Sequence, residues 1–302
     1  MTDHPFNEVN ASQKPALKLL QSLGWQFLAP ADALKLRQNR TENVILEPVL
    51  HERIVRLNKI DYKGMQYDFS DANIHEAIQS VRDIPFEGLT TTNQKVYDLL
   101  TLGVHPTQLI NGDKKSFSLK YIDWEHPENN VYHVTEEFAV KRPGMNEQYR
   151  PDLVLFVNGI PLGVIECKRP NLPSGKDPIK EAISQHLRNQ KEDGIQRLFY
   201  YAQILFAVSY DQGKYATVGT DVKFWATWRE RNIPDFLATE QDRLLWSLCR
   251  RDRFLDIIRR YVLVDKGEKK IARYQQYYCV EKIIDRIHRI DDEEKRRPGG
   301  VV

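Results

Sequence analysis

Cysteine is scarce: Cys167, Cys249 and Cys279 are the only three in a chain of 302 residues. They lie far apart, with no CxxC and no metal-ligand spacing, which excludes a disulfide framework and points to a reducing compartment. Long apolar runs are missing as well. No stretch approaches the roughly 18 uncharged residues of a membrane-spanning helix. The opening Met1-Thr2-Asp3-His4-Pro5 lacks the charged-then-apolar order of a secretory signal. These absences fit a cytoplasmic protein with no membrane partner. Neither sign of charge is in excess: 44 Lys plus Arg against 42 Asp plus Glu leave a formal net charge of +2. A whole-protein basic footprint for nucleic acid is therefore absent, and any polyanion site must be local. The eight histidines form no HxxxH or HExxH. There is no internal repeat and no extended low-complexity region. With 41% hydrophobic residues the chain can bury a sizeable core, which excludes miniproteins and wholly disordered chains.

What is present changes period along the chain. Residues 12–23 carry apolar side chains at helical spacing, with Pro15 in the first turn and Gly24 as the stop. Amphipathic helices are predicted over 47–58, 70–82 and 93–100. From about residue 116 the period becomes two: strands are predicted over 117–121 and 132–140. Apolar runs 152–157 and 162–168 flank Asn158-Gly159, the strongest hairpin signal in the chain. Asp177-Pro178 opens a helix to about 190. Segments 198–210 and 215–224 read as further strands, and everything beyond Trp228 reads as helical and charged. The expectation is an α/β fold: a mixed central sheet flanked by helices, then a helical segment.

Chemistry concentrates in the hairpin. Both its strands are apolar on both faces, as in strands buried within a sheet, where an unpaired charge is expensive. Yet Asp152 opens one strand while Glu166 and Lys168 share one face of the other. A plain two-residue turn would set Asp152 opposite Ile165; an odd loop or a single bulge would set it opposite Glu166. Gly159 and Pro161 favour the odd loop or bulge, and a site requires it. Facing carboxylates with a lysine beside them suit a hard divalent cation such as Mg²⁺. Such a cation acidifies water and stabilises charge on a phosphate under attack. Lys168 could then orient or help deprotonate the nucleophile, or neutralise the developing charge. A salt bridge at a strand end remains the alternative, since ExK alone is expected roughly once by chance in so charged a chain.

The run Arg150-Pro-Asp-Leu-Val-Leu-Phe-Val-Asn-Gly-Ile-Pro-Leu-Gly-Val-Ile-Glu-Cys-Lys-Arg-Pro170 resembles the nuclease motif of the restriction subunit of type I restriction-modification enzymes, within the PD-(D/E)xK superfamily. Other blocks resemble the same family in the same order. Residues 122–130 look like its aspartate-to-asparagine segment, 198–205 like the following strand, and 272–278 like the stretch entering the helicase motor. The resemblance covers about 45–302, and the first 44 residues more loosely. It implies a restriction-endonuclease-like fold over 1–230, then a helical linker and the truncated start of a motor domain over 231–302. By position, Asp152 and Glu166 would ligate Mg²⁺ with the Cys167 main-chain carbonyl, and Lys168 would be catalytic. Gln185 matches the family's QxxxY, but Asn189 stands where tyrosine is expected, so that role is either lost or assumed by another residue such as Tyr200. On its own Gln185 reads as an ordinary helix glutamine. Related nucleases carry an acid on the first helix; here 12–18 hold Gln13 and Lys14 but no acid, and Glu8 is a weak candidate.

Lys168, Arg169, Lys176, Lys180, Arg188 and Lys191 could neutralise phosphates without reading bases. Ser174-Gly175-Lys176 mimics the end of a phosphate loop but lacks its upstream glycine, and is rejected. His133 and His186 read as structural. Gln276 resembles the family's adenine-contacting glutamine, but the phosphate loop is missing, so ATP would bind only in a full-length protein. The resemblance implies double-stranded DNA as substrate, Mg²⁺-dependent cleavage coupled to ATP-driven translocation, and modification and specificity subunits as partners. A stand-alone repair or resolvase nuclease and a non-catalytic DNA-binding or docking module are the alternatives.

Overall fold

The predicted change of period becomes a six-stranded sheet in the computed structural model, which describes residues 8–172 and 175–289. Ser174 of the phosphate-loop mimic, the charged run 291–297 and the final 299–302 lie outside the described residues. The strands are β1 (Gln26–Phe27), β2 (Tyr132–Glu136), β3 (Leu153–Val157), β4 (Ile160–Lys168), β5 (Ile204–Ser209) and β6 (Gln212–Ala216), and they neighbour one another in that order. The β1/β2 and β4/β5 pairs are parallel and the others antiparallel. The sheet is thus mixed, as expected. Every residue of β3, β4 and β5 is buried, which is why these strands read as continuous apolar runs.

Helices cover both faces. The main ones are α1 (Lys14–Ser22), α2 (Glu47–Leu57), α3 (Asp71–Arg82), α4 (Leu89–Leu102), α5 (Pro178–Asn189), α6 (Glu240–Cys249), α7 (Arg251–Arg260) and α8 (Tyr274–His288). The Asp177 side chain caps α5 at the N–H groups of Ile179 and Lys180, as Asp-Pro predicts. Helix α5 packs on β4 and β5. On the opposite face Gly163 leaves room for the Phe254 ring of α7, and Gly213 for Leu244 of α6; a Cβ would sit 3.3 Å and 2.8 Å from them. None of the described helices is long and apolar enough to cross a membrane.

Several elements differ from expectation, each for a local reason. The helix predicted from residue 12 starts earlier: Val9–Gln13 are wound as a π-helical turn that runs into α1. Pro15 has no N–H to close the α-helical bond to residue 11, and Lys14 N–H instead donates to the Val9 carbonyl. The strand predicted over 117–121 is replaced by a hairpin just before it, Thr107–Ile110 with Asp113–Ser116. Its turn is Asn111-Gly112, both at positive φ, the same signal as at 158–159. Residues 196–199 are helical, so the next strand begins at Ile204 rather than 198, and β6 ends at Ala216. The C-terminal segment is not wholly helical. Val262–Asp265 pairs with Glu268–Ile271 around Lys266-Gly267, again both at positive φ.

Candidate active site

The hairpin decides the site. Asn158 (φ 51°) and Gly159 (φ 83°) form a two-residue turn with Val157 opposite Ile160 and Phe156 opposite Pro161. The register then slips between Pro161 and Gly163, so that Leu155 faces Gly163 and Leu153 faces Ile165. Leu162 is the extra residue, and continuing that register by one step sets Asp152 opposite Glu166. This is the bulge that the site required. The turn is braced from below. The Asn158 side chain accepts from Val131 N–H and donates to the Tyr121 and Asn130 oxygens, while Asn130 brackets Asp123 through two further bonds. The 122–130 block is therefore a clamp on the hairpin.

Around this register the predicted residues converge. Asp152 Oδ2 accepts from Cys167 N–H at 2.6 Å and lies 3.8 Å from Lys168 Nζ. Lys168 Nζ donates to Glu8 Oε1 and to the Cys167 carbonyl, both at 3.0 Å. Gln185 Nε2 donates to Glu166 Oε2 at 2.6 Å, and Asn189 Nδ2, one turn on, reaches Glu166 Oε1 at 3.4 Å. Two amides on one helix face thus grip the two oxygens of Glu166. Gln13 Nε2 reaches Glu136 Oε2 at 3.3 Å and the Asp152 carbonyl at 3.5 Å.

The electrostatics follow from burial. Asp152 and Glu166 are 7% and 0% exposed. Burial lifts the Asp152 carboxyl to about 6, against the pull of Lys168 and the Cys167 N–H. Burial first and the neighbouring Asp152 second hold Glu166 well above the usual carboxylate range. Burial alone would lower the Lys168 ammonium, but Asp152, Glu8 and Glu166 outweigh it and hold it above its ordinary value. Among the described residues no group of three His, Cys, Asp or Glu side chains is arranged to hold a metal. A cation here would rest on two carboxylates, one main-chain oxygen and water. That all-oxygen donor set fits Mg²⁺, and such a counter-ion would let both buried carboxyls ionise.

Other candidates lie elsewhere. Tyr200 stacks on Phe86 with ring centroids 5.5 Å apart, so the second amide, Asn189, rather than Tyr200, occupies the position beside Glu166. Lys176 pairs with Glu181, and the Arg188 guanidinium lies over Tyr149. His186 is fully buried with Nε2 at the Phe206 carbonyl, its pKa pushed down to about 4 by burial. Gln276 is exposed and caps α8, its side-chain oxygen accepting from Arg273 N–H. Glu8 and Gln13 lie on opposite ends of the π-helical turn. Spacing written for an ordinary helix could not have aligned them, because a π turn carries an extra residue.

Known proteins bear on this geometry. The family model described as type I restriction enzyme R protein N terminus matches residues 5–224. The type I restriction enzyme HindI endonuclease subunit of Haemophilus influenzae is 27% identical, over 97% of this chain and 28% of its own length. A putative type I restriction enzyme MjaVIIIP endonuclease subunit of Methanocaldococcus jannaschii is 29% identical over 94% of this chain and 26% of its own. The EcoprrI endonuclease subunit of Escherichia coli is 24% identical over 79% of this chain and 72% of its own. The chain spans about a quarter of the length of the first two relatives.

Proposed function

This chain belongs to the type I restriction enzyme R protein N-terminal family, and on that footing we propose that it is an endonuclease unit hydrolysing phosphodiesters of double-stranded DNA. The observation that carries the reading is the Leu162 bulge, which turns Asp152 and Glu166 toward one another beside Lys168. Asp152, Glu166 and the Cys167 carbonyl would hold Mg²⁺, whose chemistry is to acidify a bound water and offset negative charge on the phosphate. Asp152 keeps one oxygen fixed on the Cys167 N–H. Gln185 and Asn189 fix the rotation of the Glu166 carboxylate. Glu8 and Asp152 hold the Lys168 ammonium protonated, which favours Lys168 as the group that neutralises charge developing on the phosphate over one that removes a proton from water.

The relatives are named endonuclease subunits of type I restriction enzymes, and the first two are several times longer than this chain. We place the unit in the cytoplasm, in an assembly with modification and specificity subunits, where ATP is used for translocation by a motor region outside this chain. The test is plasmid cleavage by the assembled enzyme carrying Lys168→Ala. Cleavage is expected to fall by roughly 10²–10³-fold with ATP hydrolysis retained. Undiminished cleavage would overturn the assignment.

A further inference from the structure

The family match ends at residue 224, yet the helix that carries Glu8 is held from beyond that point. Gln241, on α6, grips Ser12 twice: Ser12 Oγ donates to Gln241 Oε1, and Gln241 Nε2 donates to the Ser12 carbonyl at 3.0 Å. The two residues are 0% and 2% exposed, so neither bond is shared with bulk water. A second tie fixes the far end of the same helix: Trp25 Nε1, just past α1, donates to the Cys249 carbonyl at 2.8 Å. Helices α1 and α6 pack along their length between these ties.

Ser12 lies inside the π-helical turn Val9–Gln13. Such a turn carries one residue more than an α-helical turn and has poorer hydrogen bonding, so it persists where something outside the helix holds it. Its ends bear two side chains that reach the residues around the carboxylate pair. Glu8 accepts from Lys168, and Gln13 reaches Glu136 and the Asp152 carbonyl. Rewinding the turn as α helix would rotate Glu8 relative to Gln13 by about 100° around the axis, so the two could not face the site together.

We propose that Gln241 is a positioning residue of the nuclease site: by holding Ser12 at its hydroxyl and its carbonyl it keeps the π turn wound and so keeps Glu8 on Lys168. This rests on the endonuclease reading above. It also gives the segment after residue 224 a part in the chemistry.

The experiment uses the assembled enzyme carrying Gln241→Leu, Glu8→Gln or both, with Lys168→Ala in parallel. Amide exchange in residues 9–13 is expected to accelerate in Gln241→Leu while β3 and β4 stay protected. The cleavage rate at saturating DNA is expected to fall about tenfold with the half-saturating DNA concentration unchanged. In the Glu8→Gln background Gln241→Leu is expected to cost less than it does alone. Unchanged exchange in 9–13 overturns the proposal, as do cleavage losses that multiply in the double variant. Should Gln241→Leu fail to assemble, Ser12→Ala removes the hydroxyl half of the grip and must give the same pattern in smaller measure. If Lys168→Ala cleaves normally, the endonuclease reading fails by itself, and the exchange result still decides whether Gln241 holds the turn.

Discussion

Two carboxyl groups buried beside one ammonium leave the site short of positive charge. For Asp152 the cost can be read from its carboxyl, lifted by burial from 3.8 to about 6. The folded chain holds this proton more tightly than the unfolded chain. The stability it contributes is therefore fully present below pH 3.8 and is lost as pH rises through about 6. At pH 8 without divalent metal, the ionised group costs roughly 3 kcal/mol. Asp152→Asn removes that cost and keeps an acceptor for the Cys167 N–H. Its melting temperature at pH 8 in chelator is expected to rise by about 3 °C or more, with the gain vanishing near pH 4. Added Mg²⁺ should raise the wild-type value and leave the variant unmoved. A variant that melts no higher than wild type at pH 8 would contradict the account. Asp152, Glu166 and Lys168 were legible in the sequence because charges stand out in apolar strands. The carboxamide of Asn189 on Glu166 was not, because helix amides of one kind look alike until their partners are known.

A hairpin sets the chemistry at the next scale up, because side chains alternate and one extra residue exchanges the faces of a strand. The need for a bulge could be read from Asp152, Glu166 and the Asn158-Gly159 turn; its place at Leu162 could not, since that depends on how Pro161 meets Phe156. The turn itself has almost no freedom. Gly159 has φ 83°, its carbonyl accepts from Leu46 N–H, and a Cβ there would lie 2.6 Å from the Leu46 carbonyl. Gly159→Ala is thus expected to combine left-handed strain with a backbone clash and lose about 3 kcal/mol in urea unfolding. A loss under about 0.5 kcal/mol, the range of inert surface changes, would mean that the turn is not fixed by these contacts. Three other hairpins of this type, at Lys63-Gly64, Asn111-Gly112 and Lys266-Gly267, are not legible in the sequence because their strands are short and largely exposed, without the apolar flanks that mark 152–168.

At the scale of the molecule the question is where the folding unit ends. Composition and helical pattern suggest a division near 230, with a charged linker to follow, because a sequence shows a helix's exposed face as plainly as its buried one. Contacts give the C-terminal segment a different standing. Leu244, Leu245, Leu248, Phe254, Ile257, Ile258 and Tyr277 belong to the same hydrophobic cluster as the strands of the sheet. Tyr215 of β6 donates to the Ala272 carbonyl at 2.8 Å. Lys269, 5% exposed, donates to the side-chain oxygens of Asn93 and Gln203. Gln203 in turn donates its main-chain N–H to the carbonyl of Leu162, the bulged residue, at 2.7 Å. A chain cut after 230 would expose the faces of β6 and α1 that α6 covers, strip Phe254 from Gly163, and leave Asn93 and Gln203 with buried unpaired oxygens. Each fully buried Leu, Ile or Phe withdrawn removes about 1.5–3 kcal/mol, a total comparable with the ~5–15 kcal/mol by which a typical protein is stable. Residues 1–230 alone are therefore expected to show no cooperative unfolding transition and no slow-exchanging amides in β3–β5. The 302-residue chain is expected to show both. A fragment 1–230 that melts cooperatively at the temperature of the longer chain would place the end of the folding unit at 230, and would reduce α6, α7 and the 262–271 hairpin to passengers on it.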